Sequence, residues 1–332
     1  MNEYQHHLSW HCFWKYSWVL LLLLLIWRLV TLDHDLMVFF ASLRYPSWRL
    51  RKHFSGKVIW ITGASSGLGR ALAVQLAQFP CVLVLSARRK EELEKVKLEC
   101  ESLGRVNDVM VLPMDSLEFD ELPSLVASVL EKYEKIDFLV NNAGRAQRSL
   151  AENTELAVDK AIMELNYFGY VALTKAVLPS MIDKNNGTIV AISSITGKMG
   201  VSVQSGYVAS KYATQGFFDS LRTEVFSYGI NVCTVCPGPV DSNIGFHSFT
   251  ETVEKAYNQR SQGVGLEQSV ERFAELTAVV LAAKLPESWI SIQPYLMSTY
   301  IAQYFPVMSK SFLGSYFEQS RIRKFKRNEC LY

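Results

Sequence analysis

The chain has 332 residues, and its 34 Lys plus Arg against 32 Asp plus Glu leave a formal net charge of +2. With 49% apolar and 20% charged residues it can build a substantial core, which excludes a disordered or collagen-like chain. The balanced charge excludes the basic excess of a nucleic-acid binder, and no charge-led partner is implied.

From the N-terminus, the first feature is Trp18 to Trp27, an unbroken apolar run dominated by leucine. It lies within a window, Phe13 to Leu32, interrupted only by Lys15, Ser17, Arg28 and Thr31. Twenty helical residues span about 30 Å, the thickness of one hydrocarbon core. Lys15 and Arg28 stand where basic side chains snorkel to headgroups, and the tryptophans flank the leucines like an interfacial belt. A cleaved signal peptide is the rival, but Trp27-Arg28-Leu29-Val30 offers no small-residue cleavage site. The expectation is one uncleaved membrane anchor. Arg28, Arg44, Arg49, Arg51 and Lys52 follow the run and only Lys15 precedes it, so the positive-inside rule places the remainder in the cytosol. Leu36 to Leu43 is a second apolar patch, lying either along the membrane surface or over the domain.

From Lys57 short apolar runs alternate with longer amphipathic stretches. Strands are predicted at Val58 to Thr62, Val82 to Ser86, Val109 to Pro113, Ile136 to Asn141, Thr188 to Ser193, Ile230 to Cys236 and Trp289 to Ser291. Helices are predicted at Gly67 to Phe79, Glu91 to Leu103, Glu121 to Tyr133, Val158 to Asp183, Tyr207 to Ser227 and Ser269 to Ala282. That alternation predicts an α/β fold, a single doubly wound Rossmann-type domain with a mainly parallel seven-stranded sheet. The expected organisation is residues 1–53 as anchor and connecting segment and 54–332 as the doubly wound domain, ending in an apolar and basic tail.

Six cysteines, at 12, 81, 100, 233, 236 and 330, have no regular spacing and read as reduced thiols. Cys233 and Cys236 have CxxC spacing, but both fall in one predicted strand. Residues three apart there point to opposite faces, so neither a disulfide nor a metal site is expected.

The first strand runs into Thr62-Gly63-Ala64-Ser65-Ser66-Gly67-Leu68-Gly69 and then a helix. Glycines let such a turn approach a pyrophosphate, and the helix N-terminus offers unpaired N–H groups with a positive partial charge. At the end of the second strand an acidic residue would favour NAD, whereas arginine attracts a 2′-phosphate. Ala87 stands at that position, followed by Arg88 and Arg89, so NADP(H) is the expected cofactor.

Fifteen tyrosines in this chain make roughly one Tyr-x-x-x-Lys pair by chance, so the pair alone is weak. Only Tyr207 has a lysine, Lys211, four residues on, and it follows Ser194 between two predicted strands. The order of Thr62 to Gly69, Asn141-Asn142-Ala143-Gly144, Ser194, Tyr207-x-x-x-Lys211 and Pro237-Gly238 resembles the short-chain dehydrogenases/reductases over roughly Lys57 to Ile292. Carbonyl reduction needs a hydride on carbon and a proton on oxygen, and a phenol near pKa 10 is a poor acid at neutral pH. Lys211, one helical turn from Tyr207, brings a positive charge that lowers the phenol pKa.

The resemblance implies Tyr207 as acid/base, Lys211 also on the nicotinamide ribose, Ser194 on the substrate oxygen, and Asn166 holding a water in the proton relay. Ser193 lies beside Ser194, but strand register aims Ser194 at the sheet's end. For the cofactor the resemblance implies Asp115 at the adenine, Asn142, Ala143 and Gly144 at the end of the fourth strand, and Pro237, Gly238, Val240 and Ser242 after the sixth. Ser116 stands where an aliphatic residue is usual, and Ser242 where threonine is common. Val240 to Leu266 would close over substrate.

The expected activity is that of an NADP(H)-dependent carbonyl reductase or alcohol dehydrogenase acting on apolar substrates such as steroids or retinoids. The expected partners are such a substrate and membrane lipid at the endoplasmic reticulum, with no metal, no nucleic acid and a homodimer left open. Two other readings stay open: a long-chain lipid ketone reductase, and a catalytically idle binding or scaffold protein of the same fold.

Overall fold

Asp35 caps α1 (Leu36–Arg44), where its side chain accepts the Val38 N–H at 2.9 Å, and α2 (Ser47–Phe54) begins after Pro46. The computed structural model describes residues 16–19, 21–24, 27, 31–242, 244–257, 267–311 and 318–327. After these helices the chain alternates: β1 (Val58–Thr62), α3 (Gly67–Leu76), β2 (Val82–Ser86), α4 (Lys90–Ser102), β3 (Asp108–Val111), α5 (Leu122–Tyr133) and β4 (Phe138–Asn141). Helix α6 (Leu156–Met163), a π turn (Glu164–Phe168) and α7 (Gly169–Asp183) lead to β5 (Gly187–Ile192). Then come α8 (Ser205–Glu224), β6 (Ile230–Pro237), α9 (Val270–Ala283), β7 (Glu287–Ile290), α10 (Tyr295–Tyr304) and α11 (Glu318–Lys326).

The seven strands form one sheet in the order β3-β2-β1-β4-β5-β6-β7, and every pairing is parallel. The period-two alternation of strand side chains divides the core. Ile59, Ile61, Leu83, Leu85, Val140 and Val235 face one layer, with α3, α4 and α9. Trp60, Val84, Leu139, Ile189 and Val232 face the other, with α5, α7 and α8. Both faces are therefore dry, which is why the strands read as continuous apolar runs. Buried Trp60 satisfies its indole N–H on Ser86 Oγ at 2.8 Å. Strand order reverses between β1 and β4, and the crevice beyond their C-terminal ends is where such sheets take ligands.

Four elements depart from the sequence reading. The stretch expected to connect anchor and domain is built into the core: Val38, Ala41, Leu50 and Phe54 pack in the α9 layer, and Asp35 exchanges main-chain and side-chain hydrogen bonds with Trp289 of β7. The single helix expected over Val158 to Asp183 is interrupted by the π turn around Asn166. Strand β3 runs Asp108–Val111, short of the expected Pro113, although the Leu112 and Met114 N–H groups still donate to Leu85 O (2.9 Å) and Ala87 O (3.1 Å). The aromatic tail is a helix, α10, with Leu296 and Thr299 buried against the domain. Cys233 and Cys236 fall in separate apolar clusters, free and buried.

Of the expected anchor window Phe13 to Leu32, most falls outside the described residues. Trp18, Val19, Leu21 to Leu24 and Trp27 are described, and all expose their apolar side chains. Among the described residues no helix is long and apolar enough to cross a membrane.

Candidate active site

The turn after β1 shows why glycine stands where it does. Gly63 (φ +64°) and Gly67 (φ +54°) are left-handed, and a Cβ on Gly63 would come within 2.8 Å of Ala143 Cα. The β1 turn and the β4 end thus touch backbone to backbone. Thr62 Oγ1 accepts the N–H groups of Asn142 (2.9 Å) and Ala143 (3.1 Å), and the Asn142 amide donates back to the Thr62 carbonyl at 2.9 Å. Thr62, itself buried, and Asn142 hold two walls of the crevice together; the turn's half-buried edge is Ser65 to Gly67. Ser66 precedes α3 without making a side-chain cap, so the first N–H groups of that helix are not sealed. This is a cradle that fits a pyrophosphate. The third wall is the segment after β6, where Ser242 Cβ lies 3.8 Å from the Cβ position of Gly67 and Gly238 N–H is fixed on Ile290 O at 2.9 Å.

At the β2 end Arg89 reaches back to Ser65 Oγ at 3.3 Å. Four basic side chains converge there. Burial first, then the facing Arg89, Arg145 and Arg88, hold His247 below its usual pKa, and Arg145 is pushed down by burial with Arg88 adding repulsion. Arg145 also stacks over Phe249 at 4.2 Å. Sequence reading singled out Arg88 and Arg89 but not Arg145 or His247, whose only signal was closeness in the chain to Gly144 and Ser242. Asp115 lies past the β3 end, its carboxylate accepting the Leu117 N–H at 3.1 Å.

The catalytic candidates come from three elements. Ser194 follows β5 and caps a short turn: its Oγ accepts the Thr196 N–H at 3.1 Å and donates to Pro237 O at 3.4 Å. Its neighbour Ser193 is turned away, donating to Lys211 O and accepting from Gln215. From α8, Lys211 Nζ is buried and donates to Ile192 O at 2.9 Å, beneath the Tyr170 and Tyr207 rings at 5.4 and 5.7 Å from their centroids. Burial pushes Lys211 down to about 8, with Cys236 opposing. At neutral pH it is still mainly charged. A cation at that distance stabilises a phenolate by on the order of 3 kcal/mol at an effective dielectric of about 20.

Asn166 is fully buried on the π turn. Both amide N–H groups are used, on Arg145 O (2.9 Å) and Ser210 Oγ (3.0 Å), and Oδ1 accepts the Arg145 N–H at 2.9 Å. The Asn166 side chain is thus fully used within the protein, and its main-chain carbonyl accepts Thr214 Oγ1 at 3.1 Å. Ser210 and Thr214 were missed by sequence reading; their signal is the three- and four-residue helical spacing from Tyr207 and Ser210.

Ser194, Tyr207 and Gly238 open onto one cleft, whose wall also includes Met199, Ile244 and Tyr295. A hydroxyl, a phenol and a buried ammonium at the lip of a phosphate cradle can bind a carbonyl oxygen and move a proton to it. A family model for short chain dehydrogenases matches residues 57–252. The chain belongs to the short-chain dehydrogenase family. It is an oxidoreductase of that family by fold and by sequence. It is similar to dehydrogenase/reductase SDR family member 7 of Mus musculus, 43% identical over 323 residues and 94% of each chain. The Homo sapiens protein of that name is 42% identical over 313 residues, covering 93% of this chain and 91% of its own. Among solved structures, the alcohol dehydrogenase of the archaeon Thermococcus sibiricus, complexed with 5-hydroxy-NADP, superposes with a TM-score of 0.61. It is 25% identical and covers 72% of this chain and 97% of its own. Among the described residues no group of side chains could hold a metal ion.

Proposed function

We propose that this protein is an NADP(H)-dependent carbonyl reductase or alcohol dehydrogenase for apolar substrates of steroid or retinoid size, held at the endoplasmic reticulum membrane. The observation that carries the reading is Ser194 and Tyr207 lining one largely apolar cleft beside the phosphate cradle, with the Lys211 ammonium buried 5.7 Å from the Tyr207 ring centroid. The bound nicotinamide would supply or accept the hydride. The chain's own part is to hold the substrate oxygen on Ser194 Oγ and Tyr207 and to deliver or accept the proton at the phenol. Lys211 stabilises the phenolate left behind.

Preference for the 2′-phosphate is supported by Arg88, Arg89 and Arg145 gathered where an acidic residue would favour NAD. It is supported also by the Thermococcus relative's complex with an NADP derivative. Membrane attachment is supported by the exposed tryptophans and leucines of the leader and by Leu36, Met37, Phe40 and Leu43, exposed on the outer face of α1. It would set the cleft beside the phase in which apolar carbonyls dissolve.

The test is NADPH consumption by the full chain with a panel of steroid ketones, retinal and long-chain fatty ketones, with NADH in parallel. Turnover of at least one apolar ketone or aldehyde with NADPH at least tenfold above NADH is expected. No turnover of any of them, or equal use of both cofactors, overturns the corresponding part. Fractionation and protease protection of microsomes test the membrane assignment.

A further inference from the structure

Arg148 lines the same cleft as Ser194 and Tyr207 yet is only 7% exposed. Its one side-chain hydrogen bond is from Nη1 to the carbonyl of its own neighbour, Gln147, at 3.1 Å. No carboxylate among the described residues pairs with it. Glu267 and Arg321 also line the cleft, but each has a partner of its own. A guanidinium does not shed its charge at any working pH, and burying it without an anion is costly.

The loop that carries it is fixed on both sides. Arg148 N–H donates to Phe249 O at 2.8 Å and Ser149 N–H to Val203 O at 3.1 Å. Gln147 Oε1 accepts the N–H of Gly206, the residue before Tyr207, at 3.0 Å, and its amide donates to Thr154 at 2.8 Å. So the backbone that carries the cation is fixed, and its neighbour Gln147 is bonded to the residue that precedes Tyr207. Three residues earlier on this loop, Arg145 belongs with Arg88 and Arg89 on the other side of the crevice.

We propose that Arg148 is the substrate-reading cation: the preferred substrate is an apolar carbonyl or alcohol that also carries a carboxylate, which Arg148 binds. This rests on the reading of the cleft as the substrate site and narrows it. One unpaired guanidinium matches the single charge of a carboxylate through two parallel N–H···O bonds; a doubly charged phosphate would call for a second free cation. Around it the cleft is lined by Met199, Val201 and Ile244, which suit an aliphatic body and not a sugar.

Isothermal titration of the full chain with dodecanoate and with dodecan-1-ol reads this site without asking for turnover. The carboxylate is expected to bind roughly ten- to hundredfold tighter than the alcohol. Arg148→Met is expected to erase that difference and Arg148→Lys to keep part of it. Equal affinities in the wild type, or a difference that survives Arg148→Met, overturn the proposal. If Arg148→Met does not fold, the wild-type comparison decides alone. In parallel, kcat/KM with NADPH is compared for an oxo fatty acid and its methyl ester, with the acid expected to lead by a similar factor. Turnover of acid and ester alike overturns the role of Arg148 and leaves the reductase reading standing. Carboxylate preference in titration without turnover of any carbonyl overturns the reductase reading instead.

Discussion

Replacing Lys211 by Met keeps the length of a buried side chain and removes its charge, and the structure sets the size of the response. Burial lowers the lysine from 10.5 to about 8. At about 1.4 kcal/mol per pH unit, the folded protein gives up roughly 3 kcal/mol at neutral pH to keep that ammonium. The change removes one hydrogen bond to Ile192 O, but Tyr170 OH still donates to that carbonyl at 3.3 Å, so the acceptor is not orphaned. Below pH 8 the lysine is charged both folded and unfolded, and the wild type bears the full penalty. Between pH 8 and 10.5 the unfolded chain binds a proton that the folded chain has released, so wild-type stability rises with pH relative to the variant.

Urea unfolding of wild type and Lys211→Met at pH 7 and pH 10 measures this directly. The stability gap is expected to move toward the wild type by roughly 2.5 kcal/mol over that interval, whatever its value at pH 7. Groups remote from Lys211 cancel in the difference, and running the same pair in a Tyr207→Phe background removes the one phenol that Lys211 itself shifts. Turnover is expected to vanish at every pH. A gap constant to within about 1 kcal/mol would refute the reasoning, since it would mean that Lys211 is not held in the charged form against its surroundings.

Tyr207→Phe should abolish turnover while leaving NADPH binding, followed by cofactor fluorescence, within about threefold, because the ring and its packing stay; surviving activity would exclude the phenol as proton carrier. Converting Ala87 to Asp together with Arg88→Ala and Arg89→Ala should move the cofactor preference toward NADH by on the order of a hundredfold, read as the ratio of kcat/KM values. Phe54→Ala should cost about 3–5 kcal/mol in chemical denaturation, because Phe54 is fully buried against Phe79 and Phe138, with ring centroids 5.4 and 5.8 Å away. A loss below about 1 kcal/mol would mean that the segment before β1 is dispensable.

The strands were legible because a parallel sheet covered on both faces leaves uninterrupted apolar runs, and β1 and β2 begin and end where the pattern places them. The turn at Gly63 and the Tyr207–Lys211 pair were legible because local backbone and helix spacing dictate them. What escaped was set by contacts distant in sequence. Arg145 and Arg148 look like ordinary loop cations until Phe249 and the α8 N-terminus close over them. Helix α2 carries Arg51, Lys52 and His53 and shows a weak apolar stripe, so only its docking on α9 reveals Leu50 and Phe54 as core. The π turn has no composition of its own; the buried bonds of Asn166 with Arg145 and Ser210 mark it.

The salt bridge from Asp33 to Arg272 of α9, together with the clasp of Asp35 on Trp289, ties the segment entering α1 to the sheet and its covering helix. Residues 33 to 35 are thereby pinned to α9 and to the edge strand β7 at once, so that weakening either joint is felt at the other.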